Sequence, residues 1–244
     1  PAGSPVRGMR RYRGPFPSRN GVTLWLFEMK DWPRPGGVVF ADPFQRAEVL
    51  RNGKDLDLMF TFKSPIMQAL TQQGGIMSFL FVGSTGDRAG HSLIAWAIAR
   101  RLVEKKMTVG FIKPFGTDPV HLHGQWTDQD AFLFKQSLKL SEPLDRICPY
   151  LISDETWRGK GTDEILEELK LLAREVSDGK DVLLILGSKH IFFDDAACPV
   201  PDVTLIPELN AEFILVHRYR KISKAVYSIL SVSSLLRERI KGVF

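Results

Sequence analysis

The chain has few cysteines and lacks any long apolar run. Its 244 residues include two cysteines, Cys148 and Cys198, which stand 50 residues apart without metal-ligand spacing. Such thiols are typical of reduced, structural cysteines in a cytoplasmic protein. No stretch approaches the ~20 consecutive apolar residues that span a membrane, and no signal segment opens the chain. We therefore expect a cytoplasmic protein without a membrane partner.

Several motifs of nucleophilic and metal-dependent catalysis are also missing. The sequence contains no G-x-S-x-G nucleophile elbow and no cysteine–histidine pair that predicts a nucleophile. His121 and His123 form an H-x-H pattern, but no further cluster completes a metal site by spacing. We interpret them as loop residues near the mouth of a pocket. Lys189 and His190 follow an apolar run, where they either belong to a surface loop or face a ligand.

The charge of the chain is unevenly distributed, because its first 19 residues contain no acidic residue. The net charge is +5; residues 1–76 hold 11 Lys/Arg against 6 Asp/Glu, whereas residues 77–244 hold 22 of each. Residues 1–19 carry no acid and contain Arg7, Arg10, Arg11, Arg13 and Arg19. We favour a solvated tail for this arm. The alternative is a nucleic-acid-binding arm that contacts phosphates.

Residues 1–76 form a region that the sequence does not assign to any domain type. Turn-rich pieces alternate there with short apolar runs, which predict strands at 22–27 and 37–41. Helices are predicted at 43–53 and 62–75. We therefore expect an N-terminal extension at 1–76, made of the basic arm and an unassigned segment, and a separate domain at 77–244.

From residue 77 onward, apolar strands alternate with amphipathic helices. The predicted strands are 78–82, 108–112, 181–186, 212–216 and 240–244. The predicted helices are 91–106, 128–140, 162–176 and 223–239, with Thr162 as an N-cap. Strands that are apolar on both faces, alternating with helices, predict an α/β fold: a doubly wound, mainly parallel sheet covered on both sides. Since the fifth strand stops with the chain, we expect a domain that is truncated at its C-terminus.

The first strand and helix of this domain are joined by a glycine-bearing loop. In a doubly wound sheet, ligands bind beyond the carboxyl ends of the strands, and backbone N–H groups at a helix N-terminus favour anions. The residues predicted to bind a nucleotide or another phosphate-bearing anion are Gly83, Ser84, Thr85, Gly86, Asp87, Arg88, Ala89, Gly90, His91 and Ser92. The alternative is a tight strand-to-helix turn with no ligand.

The loop lacks the lysine of a phosphate-binding loop. The pattern G-x-x-x-x-G-K-[ST] requires glycine at positions 85 and 90, lysine at 91 and Ser/Thr at 92. This chain has Gly90 and Ser92, but Thr85 replaces the first glycine and His91 replaces the lysine. A free histidine has a pKa of about 6.5 and is mostly neutral at pH 7. A charged hydrogen bond is worth roughly 1.5–3 kcal/mol, so the loss corresponds to one to two powers of ten in affinity. We expect the loop to bind an anion but not to support efficient ATP chemistry. Ser92 can hold Mg²⁺.

A resemblance to a known family begins in residues 83–117, GSTGDRAGHSLIAWAIARRLVEKKMTVGFIKPFGT. This stretch resembles the opening of the dethiobiotin-synthetase-like P-loop domain, in the version found at the N-terminus of some phosphotransacetylase family proteins. Further pieces agree in order: Lys113-Pro114, TDQDA at 127–131, Cys148-Pro149-Tyr150, and the late strand, helix and final strand at 210–244. The resemblance covers residues 77–244, and it implies a P-loop fold and a homodimer.

The resemblance also implies roles for individual residues. In such proteins the loop lysine and Ser/Thr bind triphosphate and magnesium, a lysine follows the second strand, and a glutamate ends the third strand. By position these become His91, Ser92, Lys113 and Leu186, of which only Ser92 and Lys113 match. Lys113 is therefore the one catalytic candidate.

Nearby acids are candidates for the missing carboxylate. With Ser92, the candidate metal ligands are Asp128 and Asp130, at the start of a predicted helix. Asp194 and Asp195 follow the third strand and are further candidates. For each acid, the alternative is a solvated residue of a loop or helix start.

The leading functional hypothesis is a degenerate P-loop domain that binds a nucleotide or anion weakly and has a regulatory or assembly role. ATP and Mg²⁺ are the expected cofactors, although His91 and Leu186 replace the charged residues that usually hold them. The alternative enzyme is an ATP-dependent ligase that activates a carboxylate, using Ser92, Lys113 and an acid from Asp128 or Asp130. Nucleic-acid binding through residues 1–19 is the third hypothesis.

Overall fold

The computed structural model describes residues 16–17, 23–24, 78–86, 88–122, 124–152, 159–192 and 200–244. In chain order, its elements are β1 (Phe16–Pro17), β2 (Thr23–Leu24), β3 (Ser78–Ser84), α1 (His91–Glu104), β4 (Val109–Ile112), β5 (Phe115–Gly116), β6 (Pro119–Leu122), β7 (Gln125–Asp128), α2 (Gln129–Leu138), α3 (Leu144–Ile147), β8 (Tyr150–Leu151), α4 (Thr162–Ser177), β9 (Val182–Leu186), α5 (Asp202–Glu208), β10 (Glu212–Val216), α6 (Ile222–Leu236), a 3₁₀ turn (Arg237–Arg239) and β11 (Ile240–Val243).

Several predictions fall outside these residues. They concern most of residues 1–76, including the arginine-rich arm, and five single positions: Asp87, His123, Asp194, Asp195 and Cys198. Within the extension, β2 lies inside a predicted strand and pairs antiparallel with β1. In the part of the chain that the structure describes, no helix is long and apolar enough to cross a membrane.

Five strands form one parallel sheet in the order β11-β10-β3-β9-β4. In the middle of this sheet, Val82 lies between Ile214 of β10 and Leu186 of β9. All three side chains are fully buried. A central strand needs apolar residues on both of its faces when helices cover both sides, and β3, β9 and β10 have them. The predicted α/β fold with a mainly parallel sheet is therefore confirmed.

Helices cover the sheet on both faces, and alternate strand residues face them. Leu80, Leu184 and Ile214 pack in one apolar cluster, together with side chains of α1 and α2. Phe81 and Leu183 pack in the other cluster, with side chains of α4, α5 and α6. This alternation follows from the two-residue period of a strand.

Several element boundaries differ from the predictions for local reasons. The first strand continues to Ser84, two residues beyond its predicted end. The helix at 162–177 has Gly161 as its N-cap, without a side-chain cap, so the prediction that Thr162 is the N-cap was wrong. The short helix α5 was missed because it has only about two turns and contains Pro207. The β6–β7 hairpin was missed because its two four-residue strands are short and mostly polar, without a strong apolar signal.

The topology opens a crevice at the carboxyl end of β3. The connection through α1 leads from β3 to β4 on one side, whereas the connection through α5 leads from β9 to β10 on the other side. Ligands in open α/β sheets bind where neighbouring connections diverge in this way. The loop after β3 lies at this position.

Candidate anion-binding site

The loop after β3 ends at a helix N-terminus that has no side-chain cap. Gly90 is the N-cap of α1, with φ 92° and ψ 17°. A Cβ atom at Gly90 would meet no atom within 4 Å, so the requirement for glycine is its backbone conformation and not space. The first helical N–H to reach a backbone carbonyl is that of Ile94, 3.1 Å from Gly90 O. The N–H groups before it remain outside the helical ladder, which makes this end favourable for an anion.

The beginning of the loop is fixed by hydrogen bonds to both neighbouring strand ends. Ser84 Oγ, which is buried, lies 2.9 Å from Lys189 O and 3.1 Å from Gly86 O, so its one hydroxyl hydrogen can be donated to either carbonyl. The Thr85 N–H donates to Val216 O at 3.2 Å. The loop backbone therefore starts from a defined position between β9 and β10. Ser84, a predicted binding residue, uses its hydroxyl within the protein.

The imidazole of His91 is buried at the start of α1 and is mostly uncharged. His91 is 9% exposed and hydrogen-bonds the backbone of Gly187. Burial, together with the nearby charge of Lys113, lowers its pKa below the usual value even though Asp130 acts in the opposite direction. This position therefore lacks the permanent charge that a loop lysine supplies.

Lys113, Asp128 and Asp130 form a buried ionic cluster with Ser92. Lys113 Nζ lies 2.7 Å from Asp128 Oδ1 and 2.9 Å from Asp130 Oδ2, and Ser92 Oγ donates to the same Asp130 oxygen at 2.9 Å. Burial alone would lower the pKa of Lys113, but the two carboxylates outweigh burial and raise it. The ammonium therefore stays charged, and its charge is matched by carboxylates. Four residues predicted from the sequence meet here.

The two acids of the cluster have different positions. Asp128 is fully buried and caps α2, accepting hydrogen bonds from the N–H groups of Asp130, Ala131 and Asp118. Its oxygens are thus committed to the protein. Asp130 is 24% exposed, so it is the acid of this pair that a ligand can reach.

The oxygens of Ser92 and Asp130 fit a magnesium ion. They lie 2.9 Å apart, and Mg²⁺ is usually held by one or two protein oxygens together with water and phosphate. Leu186 ends β9 with no exposed surface, so that position supplies no carboxylate. Among the described residues, no group of three or more His, Cys, Asp or Glu side chains could hold a metal alone. A metal at this site would therefore depend on a bound phosphate.

Asp202, at the start of α5, lies beneath the site and was not predicted. It is 1% exposed and accepts a hydrogen bond from Ser188 N–H at 2.8 Å. A Cβ atom on Gly187 would lie only 2.4 Å from Asp202 Oδ2, so the glycine makes room for the carboxylate. Burial raises the pKa of Asp202 to about 7. An acid in the first turn of a helix is too common to single out from a sequence.

A basic pocket of about 310 Å³ lies beside the start of the loop. The loop contributes Thr85 and Gly86, the segment between β10 and α6 contributes His217, Arg218 and Arg220, and the first turn of α6 contributes Lys224. Thr85 Oγ1 and His217 Nδ1 are hydrogen-bonded. The sequence contained a signal for this pocket, because residues 213–237 hold five Lys/Arg and no acid. The pocket itself was not predicted.

The remaining predicted candidates either lie near the loop or belong to other parts of the fold. Lys189 pairs with Asp118 at 3.0 Å, and His190 lies near Gly86. His121 is exposed on β6 against Trp126. Other loop residues occur as follows: Gly83 is buried in β3, Arg88 is exposed with φ 56°, and Ala89 is half-buried against the core.

The thiol of Cys148 fits a structural role. It is free and buried. Burial raises its pKa to about 12, so the thiol is protonated and unreactive at neutral pH.

Comparison with known proteins finds a distant relative. No family model matches the chain. Over 179 residues it is 28% identical to the ATP-dependent dethiobiotin synthetase of Ruthia magnifica subsp. Calyptogena magnifica, covering 69% of this chain and 83% of that protein. The similarity supports a P-loop-like domain. The expected resemblance is confirmed at this level, whereas the relation to phosphotransacetylase family proteins stays a prediction.

Proposed function

We propose that this domain binds a nucleotide or another phosphate-bearing anion weakly at the N-terminus of α1, with little phosphoryl transfer. Its role is then regulatory, or it assists assembly. The observation that carries the proposal is the buried, mostly neutral imidazole of His91 at the position of a charged lysine.

Anion binding is supported by the backbone around Gly90. The uncapped N-terminus of α1 has no acid of its own in its first turn, and its backbone N–H groups attract a phosphate. Ser92 and Asp130 add a pair of oxygens that suits Mg²⁺. When bound, Mg²⁺ would neutralise part of the charge of the phosphate oxygens.

Weak transfer is supported by the charge states of His91 and Lys113, the two residues at positions where the resemblance implies a catalytic cation. His91 carries little charge at pH 7, and Lys113 is held between two carboxylates that offset its charge. Charge that develops on a transferring phosphoryl group needs preorganised positive groups. A missing charged hydrogen bond costs roughly 1.5–3 kcal/mol, which lowers affinity by one to two powers of ten.

A second candidate function is an ATP-dependent ligase that activates a carboxylate. The similarity to a dethiobiotin synthetase over 83% of that protein favours it. The cluster of Ser92, Lys113 and Asp130 also favours it, because a hydroxyl, a cation and a carboxylate meet beside the loop. In this function Lys113 would orient the γ-phosphate toward the attacking carboxylate.

The test compares ATP binding and ADP release for the natural chain, for His91→Lys and for Leu93→Lys. Leu93 is exposed in the same first turn, so Leu93→Lys adds equal charge outside the lysine position of the loop. We expect His91→Lys to tighten ATP binding by roughly ten- to a hundredfold, and Leu93→Lys to have a much smaller effect. Carboxylate-dependent ADP release by the natural chain would reject the degenerate site and favour the ligase.

A further inference from the structure

The basic pocket is a concave surface whose cations have no acidic partner in the part of the chain that the structure describes. Arg218, Arg220 and Lys224 are exposed at its wall and form no ion pair with any described carboxylate. Other cations of the same domain do pair with acids, such as Lys170 with Glu208 and Lys180 with Glu142. Three like charges around one cavity repel each other, and a multiply charged anion would relieve this repulsion.

We infer that this pocket is a second phosphate site, which binds a small phosphorylated molecule separately from the N-terminus of α1. Two arginines provide the forked donors that match phosphate oxygens. Thr85 and Ser228 add hydroxyl groups, and His217, whose Nδ1 is bonded to Thr85 Oγ1, adds its Nε2 as a donor when the ring is protonated. The volume of about 310 Å³ lies within the range for small-molecule sites.

The pocket and the N-terminus of α1 use different residues of one loop. The pocket contacts the beginning of the loop at Thr85 and Gly86, whereas the helix N-terminus begins at Gly90. The cations of the pocket come from the segment after β10, which reaches the loop because β10 pairs with β3. Occupancy of one site therefore does not require the other.

Two histidines allow the sites to be observed separately. His217 lines the pocket, and His91 begins α1. Burial lowers the pKa of both imidazoles. A bound phosphate would raise the pKa of the imidazole beside it.

The test is a titration of the whole chain with inorganic pyrophosphate, without Mg²⁺ and at constant ionic strength, followed by imidazole NMR signals. We expect saturable shifts of the His217 signals and a rise in its pKa. The double variant Arg218→Gln/Arg220→Gln should weaken binding by at least about tenfold, since each charged hydrogen bond contributes one to two powers of ten. The control Lys221→Gln removes a neighbouring charge that does not line the pocket, and should change the dissociation constant less than about threefold.

The outcomes separate this inference from the proposed function. Shifts at His217 that Arg218→Gln/Arg220→Gln abolishes support the second site, even if His91 does not respond. Shifts at His91 alone overturn the second site and leave the proposed function standing. Equal binding of malonate, or equal loss of affinity in Lys221→Gln, would show unspecific charge attraction and overturn the inference. Tighter binding of a single-stranded oligonucleotide than of pyrophosphate would overturn the small-molecule assignment.

Discussion

Replacing Asp202 by asparagine should make the stability of the domain less dependent on pH. The carboxyl group is 1% exposed, packs against Gly187 and accepts one hydrogen bond from Ser188 N–H. Burial raises its pKa from 3.8 to about 7 in the folded protein. Asparagine has nearly the same shape and keeps an oxygen that can accept the same hydrogen bond, but it never ionises.

The sign of the effect follows from proton linkage. Because the pKa of Asp202 is higher in the folded chain, the folded state binds the proton more tightly than the unfolded state between about pH 4 and 7. The contribution of Asp202 to stability is therefore complete below pH 4 and is lost as the pH rises through 7. At about 1.36 kcal/mol per pKa unit, the loss from pH 5 to pH 8 is at most about 3 kcal/mol. This is a large share of the roughly 5–15 kcal/mol that stabilises a typical domain.

The assay is urea unfolding at pH 5 and pH 8, with the difference between the natural chain and Asp202→Asn taken at each pH. We expect Asp202→Asn to gain up to about 3 kcal/mol relative to the natural chain on going to pH 8. Asp178→Asn, at an exposed acid after α4, is the matched control and should show no such gain. If the difference between the natural chain and Asp202→Asn is the same at both pH values, the buried position of this carboxyl group is wrong.

Two further predictions concern the cluster and the loop. Lys113→Met leaves Asp128 buried without its cation and should destabilise the fold by about 3–5 kcal/mol; adding Asp128→Asn should recover part of this loss in urea unfolding. Gly90→Ala should destabilise the fold by about 1–2 kcal/mol because of its positive φ, whereas Gly161→Ala, at φ −68°, should cost less. Equal losses at the two glycines in thermal unfolding would contradict the assigned loop conformation.

The sequence predicted the sheet well because its central strands are apolar on both faces. Residues 212–216 were predicted with their observed bounds, and the strand at 182–186 within one residue. Short or polar elements carry no comparable signal. The β6–β7 hairpin and the seven-residue helix α5 form because the rest of the domain holds them, and both are too short to show a repeating apolar period.

Part of the candidate site could also be predicted, because the parallel sheet determines where its residues meet. Ser92, Lys113 and Asp130 follow or begin elements at the carboxyl edge of the sheet, so their meeting follows from the parallel topology. The contact of Thr85 with His217 joins residues 132 positions apart. It depends on which strand lies beside β3, and strand order cannot be derived from apolar periodicity. Asp202 reaches the site through the same kind of long-range packing.

The most direct test of the account is calorimetry of ATP binding to the natural chain with and without Mg²⁺. We predict weak but measurable binding without Mg²⁺, because the N-terminus of α1 supplies the main attraction for phosphate. Mg²⁺ should strengthen binding by less than about tenfold, or about 1.4 kcal/mol, since of the three predicted ligands Asp128 is fully buried, which leaves Ser92 and Asp130. Absence of binding, or a gain of more than about a hundredfold with Mg²⁺ accompanied by ADP release, would contradict the account.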